Sequence, residues 1–266
     1  MNNLHRELAP ISDDAWEQIE EEATRTLKRY LAARRVVDVS EPQGSAFSAV
    51  GTGHVEHLDG PDEGVKAVKR QVLPMIELRV PFKLTRQAID DVERGSEDSD
   101  WSPLKEAARK IAYAEDRAVF DGYAAAGIGG IRPLSSNTPL TLPRGASGYP
   151  AVVAQAVNDL RLAGVNGPYH LVLGDEAYTA ITGGNEDGYP VLQHLRSLID
   201  GDVVWAPAIK GGLLLSTRGG DFSMDVGQDI SIGYLNHTAT DVELYLEETF
   251  TFRLLTSEAA ISLLAV

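Results

Sequence analysis

The chain has 266 residues, of which 43% are hydrophobic and 24% charged, so it suits one large folded domain or two intimate ones and disorder throughout is excluded. It contains no cysteine, which excludes disulfides, thiolate nucleophiles and cysteine-based zinc sites. Its net charge of −15 repels phosphate backbones, and no apolar run is long enough to span a membrane. We therefore expect a cytoplasmic protein that has neither nucleic acid nor membrane as a partner.

The first predicted element is an amphipathic helix. Ser12 precedes it as a capping residue, and acidic residues fill its first half and basic residues its second half, as the helix dipole favours. One face carries apolar residues at helical spacing, namely Trp16, Ile19, Ala23, Leu27, Tyr30 and Leu31. Such a helix should be stable and present this face to a neighbour.

Residues 41–74 predict an extended hairpin arm. Gly, Pro and Ser punctuate this region, and its short stretches alternate in polarity, as in residues 54–58. A strand is predicted over Leu73–Phe82. Because the arm has little core of its own, it needs a neighbour to pack on.

Two helices are predicted next. Thr85 can cap a short helix that runs through Arg94, and Ser102 can cap a long one that reaches about Tyr123. The long helix has a stripe at helical spacing that contains Glu115 among apolar residues. Its length is typical of a structural spine.

The second half of the chain predicts a compact α/β unit followed by strands. A Gly-, Pro-, Ser- and Asn-rich crossing spans residues 127–150 and separates this unit from the spine helix. The predicted elements are a helix over Val152–Ala163, a strand over His170–Leu173, a helix over Asp175–Ile181, short strands near 203–205 and 213–216, and mostly strands from Phe222 onward. The fold class is therefore α+β with one long arm.

Few patterns in the sequence carry catalytic or ligand-binding chemistry. The histidines lack metal-binding spacing, since His54 and His57 would face opposite sides of a strand. The glycines of residues 127–130 lack the later glycine of a dinucleotide-binding loop and follow a helix. The acidic residues of the loop over 93–100 fit a solvated surface better than a cation site. We expect no catalytic residue, no metal and no cofactor, which points to a structural protein.

Several phrases of the sequence are typical of one family and occur in its order. They include LHRELAPISDDAW, RRVVDVSEPQG, LRVPFKLTRQAIDDVERG, TRGGDFSMDVGQDISIGY and LYLEETFTFRLLTSEAAISLL. Together they resemble the family 1 encapsulin, or linocin-like, nanocompartment shell proteins, and the resemblance covers nearly the whole chain. Members of that family are not enzymes themselves.

The resemblance implies the HK97-type phage-capsid fold, with a peripheral domain, an extended loop and an axial domain. It implies the following division: the N-terminal helix and the start of the peripheral domain over 1–44, the extended loop and its base over 45–80, the peripheral domain with the spine helix over 81–135, the axial domain over 136–221, and mainly peripheral-domain strands over 222–266. It also implies assembly into a hollow icosahedral cage, most similar to the smallest one of 60 subunits.

The resemblance further implies that the nanocompartment encloses a cargo enzyme in the cytoplasm. The cargo would carry a C-terminal targeting peptide, and a dye-decolourising peroxidase is expected ahead of a ferritin-like protein. Carried over residue by residue, the peptide pocket comprises Leu27, Tyr30, Leu31, Arg34, Ile230, Ile232 and Tyr234. The alternative is that these side chains fill the core of the subunit itself.

A five-fold pore is implied at the loop of Gly184, Asn185, Glu186, Asp187, Gly188 and Tyr189, for which an ordinary surface loop is the alternative. Two other functions are weighed against the shell, namely a hydrolase or bacteriocin of the linocin type and a phage major capsid protein. A protease would need a nucleophile with an aligned base, and no motif places Ser, His and Asp in those roles. The cargo-shell motifs disfavour a phage head protein.

Overall fold

A computed structural model of the protein describes residues 3–186 and 188–265. In this part the α-helices are α1 (Asp13–Tyr30), α2 (Arg86–Glu93), α3 (Ser102–Phe120), α4 (Ile131–Leu134), α5 (Tyr149–Leu162), α6 (Asp175–Gly183) and α7 (Val191–Ile199). The strands are β1 (Asp38–Val39), β2 (Ala49–Leu58), β3 (Ala67–Pro74), β4 (Ile76–Thr85), β5 (Leu140–Thr141), β6 (Tyr169–Leu173), β7 (Asn185–Glu186), β8 (Tyr189–Pro190), β9 (Val203–Trp205), β10 (Gly212–Ser216), β11 (Phe222–Val226), β12 (Ser231–His237), β13 (Asp241–Leu254) and β14 (Ala260–Leu264).

The long strand β13 organises the first of two five-stranded sheets. It pairs antiparallel with β4 along one edge and with β12 and β11 along the other, and β1 joins β11 in parallel. Helices α1, α2 and α3 cover this sheet, and their apolar faces form one buried cluster with it. The fold therefore buries the N-terminal helix face that the sequence predicts.

The predicted helix starts at α1 and α2 are confirmed. The Ser12 hydroxyl accepts a hydrogen bond from the Ala15 N–H, and the Thr85 hydroxyl accepts one from the Ala88 N–H. Each cap satisfies one of the backbone donors that a helix N-terminus leaves free. The chain after α1 continues as a 3₁₀ turn over Ala33–Arg35, which turns it toward the first sheet.

The predicted start and end of α3 need correction. Ser102 is the first helical residue and not the cap, and its N–H donates to Asp100 Oδ1 at 3.0 Å. The helix ends at Phe120, three residues before Tyr123. The following turn places Gly122 at a φ of 89°, with a backbone carbonyl so close that a Cβ there would clash.

The arm is a hairpin of β2 and β3, as predicted, and it stands apart from both sheets. Val55, Val68 and Val72 are exposed, and the pairing register places all three on one face. The single strand predicted over Leu73–Phe82 is wrong, because the chain changes partner at Met75 from β2 to β13. These valines give the arm exposed apolar surface on a face that also carries Arg70, which lies opposite Val55, and its own chain leaves this face uncovered.

The second sheet has the order β5-β14-β10-β6-β9 and carries α5, α6 and α7. Its core is continuous with the end of α3, with β11 and with the last part of β13, whereas the rest of the first sheet packs in the separate cluster with α1 and α2. Strand β14 belongs to this sheet, although the three strands before it, β11 to β13, belong to the first.

The domain boundaries expected from the resemblance stay predictions. No helix in the described residues combines the length and apolar character needed to cross a membrane.

Candidate functional site

Four of the seven residues predicted to bind a targeting peptide belong to, or pack against, the one buried cluster that α1 forms with the first sheet. Ile232 is buried in the cluster beneath α1, and Leu27, Ile230 and Tyr234 are half-buried around it. These side chains form what we call the α1–β12 surface. It is an apolar surface that is only partly covered by its own subunit.

Strand β12 is the terminal strand of its sheet, so one of its edges has no strand beside it among residues 3–186 and 188–265. The Tyr234 N–H donates to the carbonyl of Leu4 at 2.8 Å, which places the N-terminal segment along part of that edge. The Tyr234 hydroxyl lies 2.6 Å from His237 Nδ1. An edge strand beside apolar side chains can bind an extended peptide through both its backbone and its side chains.

Tyr30 does not join the α1–β12 surface. Its ring lies 5.7 Å from that of Tyr113 on α3 and 5.7 Å from that of Trp205 on β9. Tyr30 therefore faces the α3 side of α1. Leu31 follows the end of the helix and is half-buried, with its N–H donating to the Leu27 carbonyl.

Arg34 also lies apart from these apolar residues, in a group of carboxylates. Its guanidinium donates to Glu115 Oε2 from Nε at 2.8 Å and from Nη2 at 2.6 Å. It also donates to Asp229 Oδ1 at 2.6 Å and to Glu248 Oε2 at 3.1 Å. Burial lowers the pKa of Arg34, but Glu115 and Asp229 outweigh burial and raise it. The cation is used within its own subunit, where it connects α3 to β13 and to the loop before β12.

Two carboxyl groups near Arg34, those of Glu248 and Asp116, have raised pKa values. Burial raises the pKa of Glu248 well above its ordinary value, and the neighbouring Glu115 raises it further. Burial also raises the pKa of Asp116 to about 8, against the opposing effect of the Ala33 and Ala32 N–H groups that donate to it. The turn after α1 is thereby attached to α3 by an interior carboxyl group.

The sequence analysis included Glu115 in the stripe of α3 but did not identify its partner, and it missed Asp116 and Glu248. A carboxylate at an otherwise apolar position is the signal that could have found this group, because a buried charge requires a partner of opposite charge. Arg34 was the one residue of the group that sequence reasoning selected, for a different role.

The predicted pore loop lies between α6 and α7. Its ends pair as the two short strands β7 and β8, with Asn185 opposite Pro190. Gly188 adopts a φ of 85°, which a turn of this kind requires. Tyr189 is exposed, and Asp187 lies outside the described residues. The loop is a minimal hairpin at one end of the α/β unit.

One hydroxyl–imidazole–carboxylate arrangement bears on the hydrolase alternative. Thr217 Oγ1 lies 2.8 Å from His170 Nδ1, and Asp202 Oδ2 lies 3.9 Å from Nε2 of the same ring. The carboxylate is beyond hydrogen-bond distance, and the Thr217 hydroxyl also lies 3.2 Å from the Pro168 carbonyl. The imidazole is not oriented as a catalytic base, so the contact joins β6 to the end of β10.

Comparison with known proteins identifies the family. A family model described as "Encapsulating protein for peroxidase" matches residues 1–251. The chain is 57% identical to the type 1 encapsulin shell protein of Rhodococcus erythropolis over 263 residues, which are 99% of this chain and 100% of that protein. The chain belongs to the encapsulin shell-protein family. The encapsulin shell protein of Mycobacterium tuberculosis is 53% identical over 99% of each chain.

Solved structures agree on the fold of this encapsulin chain. A virus-like particle from Pyrococcus furiosus matches it with a TM-score of 0.65 at 16% identity, over 92% of this chain and 98% of that one. The capsid of Myoviridae phage XM1 matches with a TM-score of 0.55 at 10% identity, over 89% and 92%. The predicted HK97-type fold is confirmed. The protein is a non-enzymatic subunit of a capsid-like encapsulin shell.

Proposed function

We propose that sixty copies of the chain close into a hollow icosahedral nanocompartment in the cytoplasm and enclose a cargo enzyme. The arm supports assembly, because Val55, Val68 and Val72 expose apolar surface on one face of a two-stranded hairpin. Burying such surface against neighbouring copies is favourable by about 25 cal/mol per Å². The arm is thus suited to contacts between subunits.

The charge of the subunit works against closure. Each chain carries −15, and exposed charges repel one another over roughly the 8 Å Debye length of physiological salt. Apolar burial along the arms, repeated at many identical contacts, must exceed this repulsion. Assembly should consequently become easier as salt increases.

The half-buried side chains of the α1–β12 surface are the observation that supports cargo binding. A targeting tail with two or three aliphatic anchors could cover Leu27, Ile230 and Tyr234 and gain about 25 cal/mol per Å² buried. The free edge of β12 offers backbone groups to the same tail. Several weak contacts from an oligomeric cargo would then add up through avidity.

The contacts of Arg34 and Tyr30 within the subunit support further roles for both residues. Arg34 binds Asp229, the residue directly before Ile230, and would position the start of β12 for a tail. Tyr30 lies on the other side of α1. The family description names a peroxidase, which supports our proposal of a dye-decolourising peroxidase as the cargo, with a ferritin-like protein as the second candidate.

We propose that the hairpin of residues 184–189 lines a pore at the five-fold vertices. Glu186 and Asp187 give each copy two carboxylates in this loop, and five-fold repetition would concentrate them around one axis. A ring of carboxylates favours cations over anions. Small cationic or neutral solutes would then reach the cargo more readily than anions.

The cargo proposal is tested by placing a carboxylate on the α1–β12 surface. Ile230→Asp puts a charge where an aliphatic anchor should dock, whereas Leu235→Asp adds the same charge at an exposed apolar site further along β12. Each shell is co-expressed with a peroxidase that carries its targeting tail, and co-purified cargo is quantified in assembled particles. Ile230→Asp shells should lose most cargo and Leu235→Asp shells should keep it; equal loading would show that the tail binds elsewhere.

A further inference from the structure

A cleft of about 420 Å³ lies between α1 and α3. Four cationic side chains line it, namely Arg25, Arg29, Lys105 and Arg109, and two carboxylates do so, Glu22 and Glu106. The cleft is open to solvent along its length. In a chain of net charge −15, this local excess of positive charge is unusual.

The two carboxylates do not neutralise all four cations. Glu22 is almost fully buried and pairs with Arg25 and, at 3.7 Å, with Lys105. Glu106 pairs at 2.9 Å with Lys110, which does not line the cleft. Arg29 and Arg109 form no ion pair within residues 3–186 and 188–265. Two guanidinium groups are therefore available to an external anion.

One of these guanidinium groups lies near two aromatic rings. The Arg29 guanidinium is 5.9 Å from the centre of the Tyr30 ring and 5.8 Å from that of Trp205. A cation within about 6 Å of a ring is attracted to it and keeps both its charge and its N–H donors. This attraction favours side-chain positions of Arg29 on the cleft side of α1.

The spacing of the cations matches an extended chain. Arg25 and Arg29 are one helical turn apart on α1, as are Lys105 and Arg109 on α3, which separates the charges in each row by about 6 Å. Alternate residues of an extended peptide are about 6.6 Å apart. We propose that this cleft binds an extended acidic segment of a partner protein, with carboxylates at alternate residues.

A short acidic peptide fits these observations better than a nucleic acid. The cleft is surrounded by a strongly acidic molecule, which repels a long polyanion but not a segment of a few residues confined to the cleft. Guanidinium groups bind carboxylates through paired hydrogen bonds. The inference goes beyond the proposed function, because it does not depend on a tail docking on the α1–β12 surface.

The test uses the assembled protein and a fluorescent peptide of alternating Asp and Ser residues. Fluorescence anisotropy should show binding that weakens with added salt. Arg29→Gln combined with Arg109→Gln should weaken it about tenfold, which corresponds to ~1.4 kcal/mol. Lys28→Gln combined with Lys66→Gln removes the same charge outside the cleft and should leave binding unchanged.

A second pair of substitutions removes both cations that α3 contributes to the cleft. Lys105→Gln with Arg109→Gln should weaken binding by a similar factor, and electron microscopy verifies that each variant assembles. Equal binding of a peptide with Asn in place of Asp, or equal binding by the cleft and control variants, would overturn the proposal. Competition with phosphates gives a further contradicting outcome. If inorganic phosphate or oligothymidylate displaces the labelled peptide at a lower concentration than unlabelled peptide does, the cleft selects phosphates and the proposal is overturned.

Discussion

Arg34 and Glu115 form a two-point ion pair in which the guanidinium Nε and Nη2 lie 2.8 Å and 2.6 Å from one carboxylate oxygen. The Glu115 side chain has no solvent exposure, and that of Glu248, which the same guanidinium also binds, has 1%. A single cation thus compensates two interior carboxyl groups and the more exposed Asp229. This group joins the turn after α1 to α3 and to the first sheet.

Removing the cation should be strongly destabilising. Arg34→Leu leaves Glu115 without its partner, and breaking a buried pair on one side costs about 3–5 kcal/mol. Arg94→Leu is the matched control, since Arg94 pairs with Asp91 and the two side chains are 62% and 37% exposed, and such pairs contribute about 1 kcal/mol or less. Urea unfolding at fixed protein concentration measures both. Similar losses from the two substitutions would contradict an interior role for Arg34.

Asp116 predicts a dependence of stability on pH. Its pKa in the folded protein is about 8, against an ordinary value of 3.8, so the folded chain keeps a proton that the unfolded chain releases. The stabilisation linked to this proton is complete at low pH and is lost as pH rises toward about 8. Asp116→Asn should flatten the fall in urea midpoint between about pH 6 and 8.

The control for this experiment is Asp121→Asn, a substitution at an exposed carboxylate just beyond the same helix. The raised pKa of Glu248 also makes stability fall as pH rises. The slopes of urea midpoint against pH are therefore compared among the wild type and the two variants, and not with a slope of zero. Parallel curves for the Asp116 variant and the wild type would show that Asp116 does not titrate in this window.

The apolar face of the arm should decide whether shells close. Val68→Asp combined with Val72→Asp places two charges on that face, whereas Gln71→Asp adds a charge on the opposite face of the same strand. The double variant should remain folded by circular dichroism but fail to form particles, and Gln71→Asp should assemble. Closed particles from the double variant would mean that the arm face is not an interface.

Glu186 and Asp187 should control which ions enter the shell. Replacing them with Gln and Asn removes the proposed ring of charge, and the preference for cations should then weaken without loss of assembly. Quenching of an enclosed fluorophore by caesium and by iodide measures the two entry rates. Asp202→Asn, elsewhere in the α/β unit, serves as the control. An unchanged ratio of rates would place the pore at another loop.

Much of the fold could be predicted because local patterns determined it. The caps at Ser12 and Thr85 and the periodicity of α1 and α3 are properties of short segments, and tertiary packing did not override them. The change of partner at Met75 could not be predicted, since the segments on both sides of it have the sequence pattern of a strand. Only their pairing, one with β2 and the other with β13 far along the chain, distinguishes them. The Ser102 cap was wrong because Asp100 provides the acceptor instead.

The candidate site was less predictable than the fold. Leu27 and Tyr30 lie on one apolar stripe in sequence, yet Leu27 packs against the cluster that α1 forms with the first sheet, and Tyr30 packs between α3 and β9. Helical spacing predicts which residues share a face of the helix, but it does not predict which neighbouring element each part of that face contacts. Arg34 was selected for binding the targeting peptide, which stays a prediction, and its carboxylate partners were not foreseen because they lie about 80 or more positions away along the chain.

The mass and shape of the purified protein test the central claim most directly. Sixty chains of 28.7 kDa should form a particle of about 1.7 MDa by native mass spectrometry. Cryo-electron microscopy of the same sample should show a closed icosahedral shell, with the cargo tail as added density on the α1–β12 surface of loaded particles. A stable monomer at physiological salt, or closed shells whose cargo tail lies away from that surface, would contradict the account.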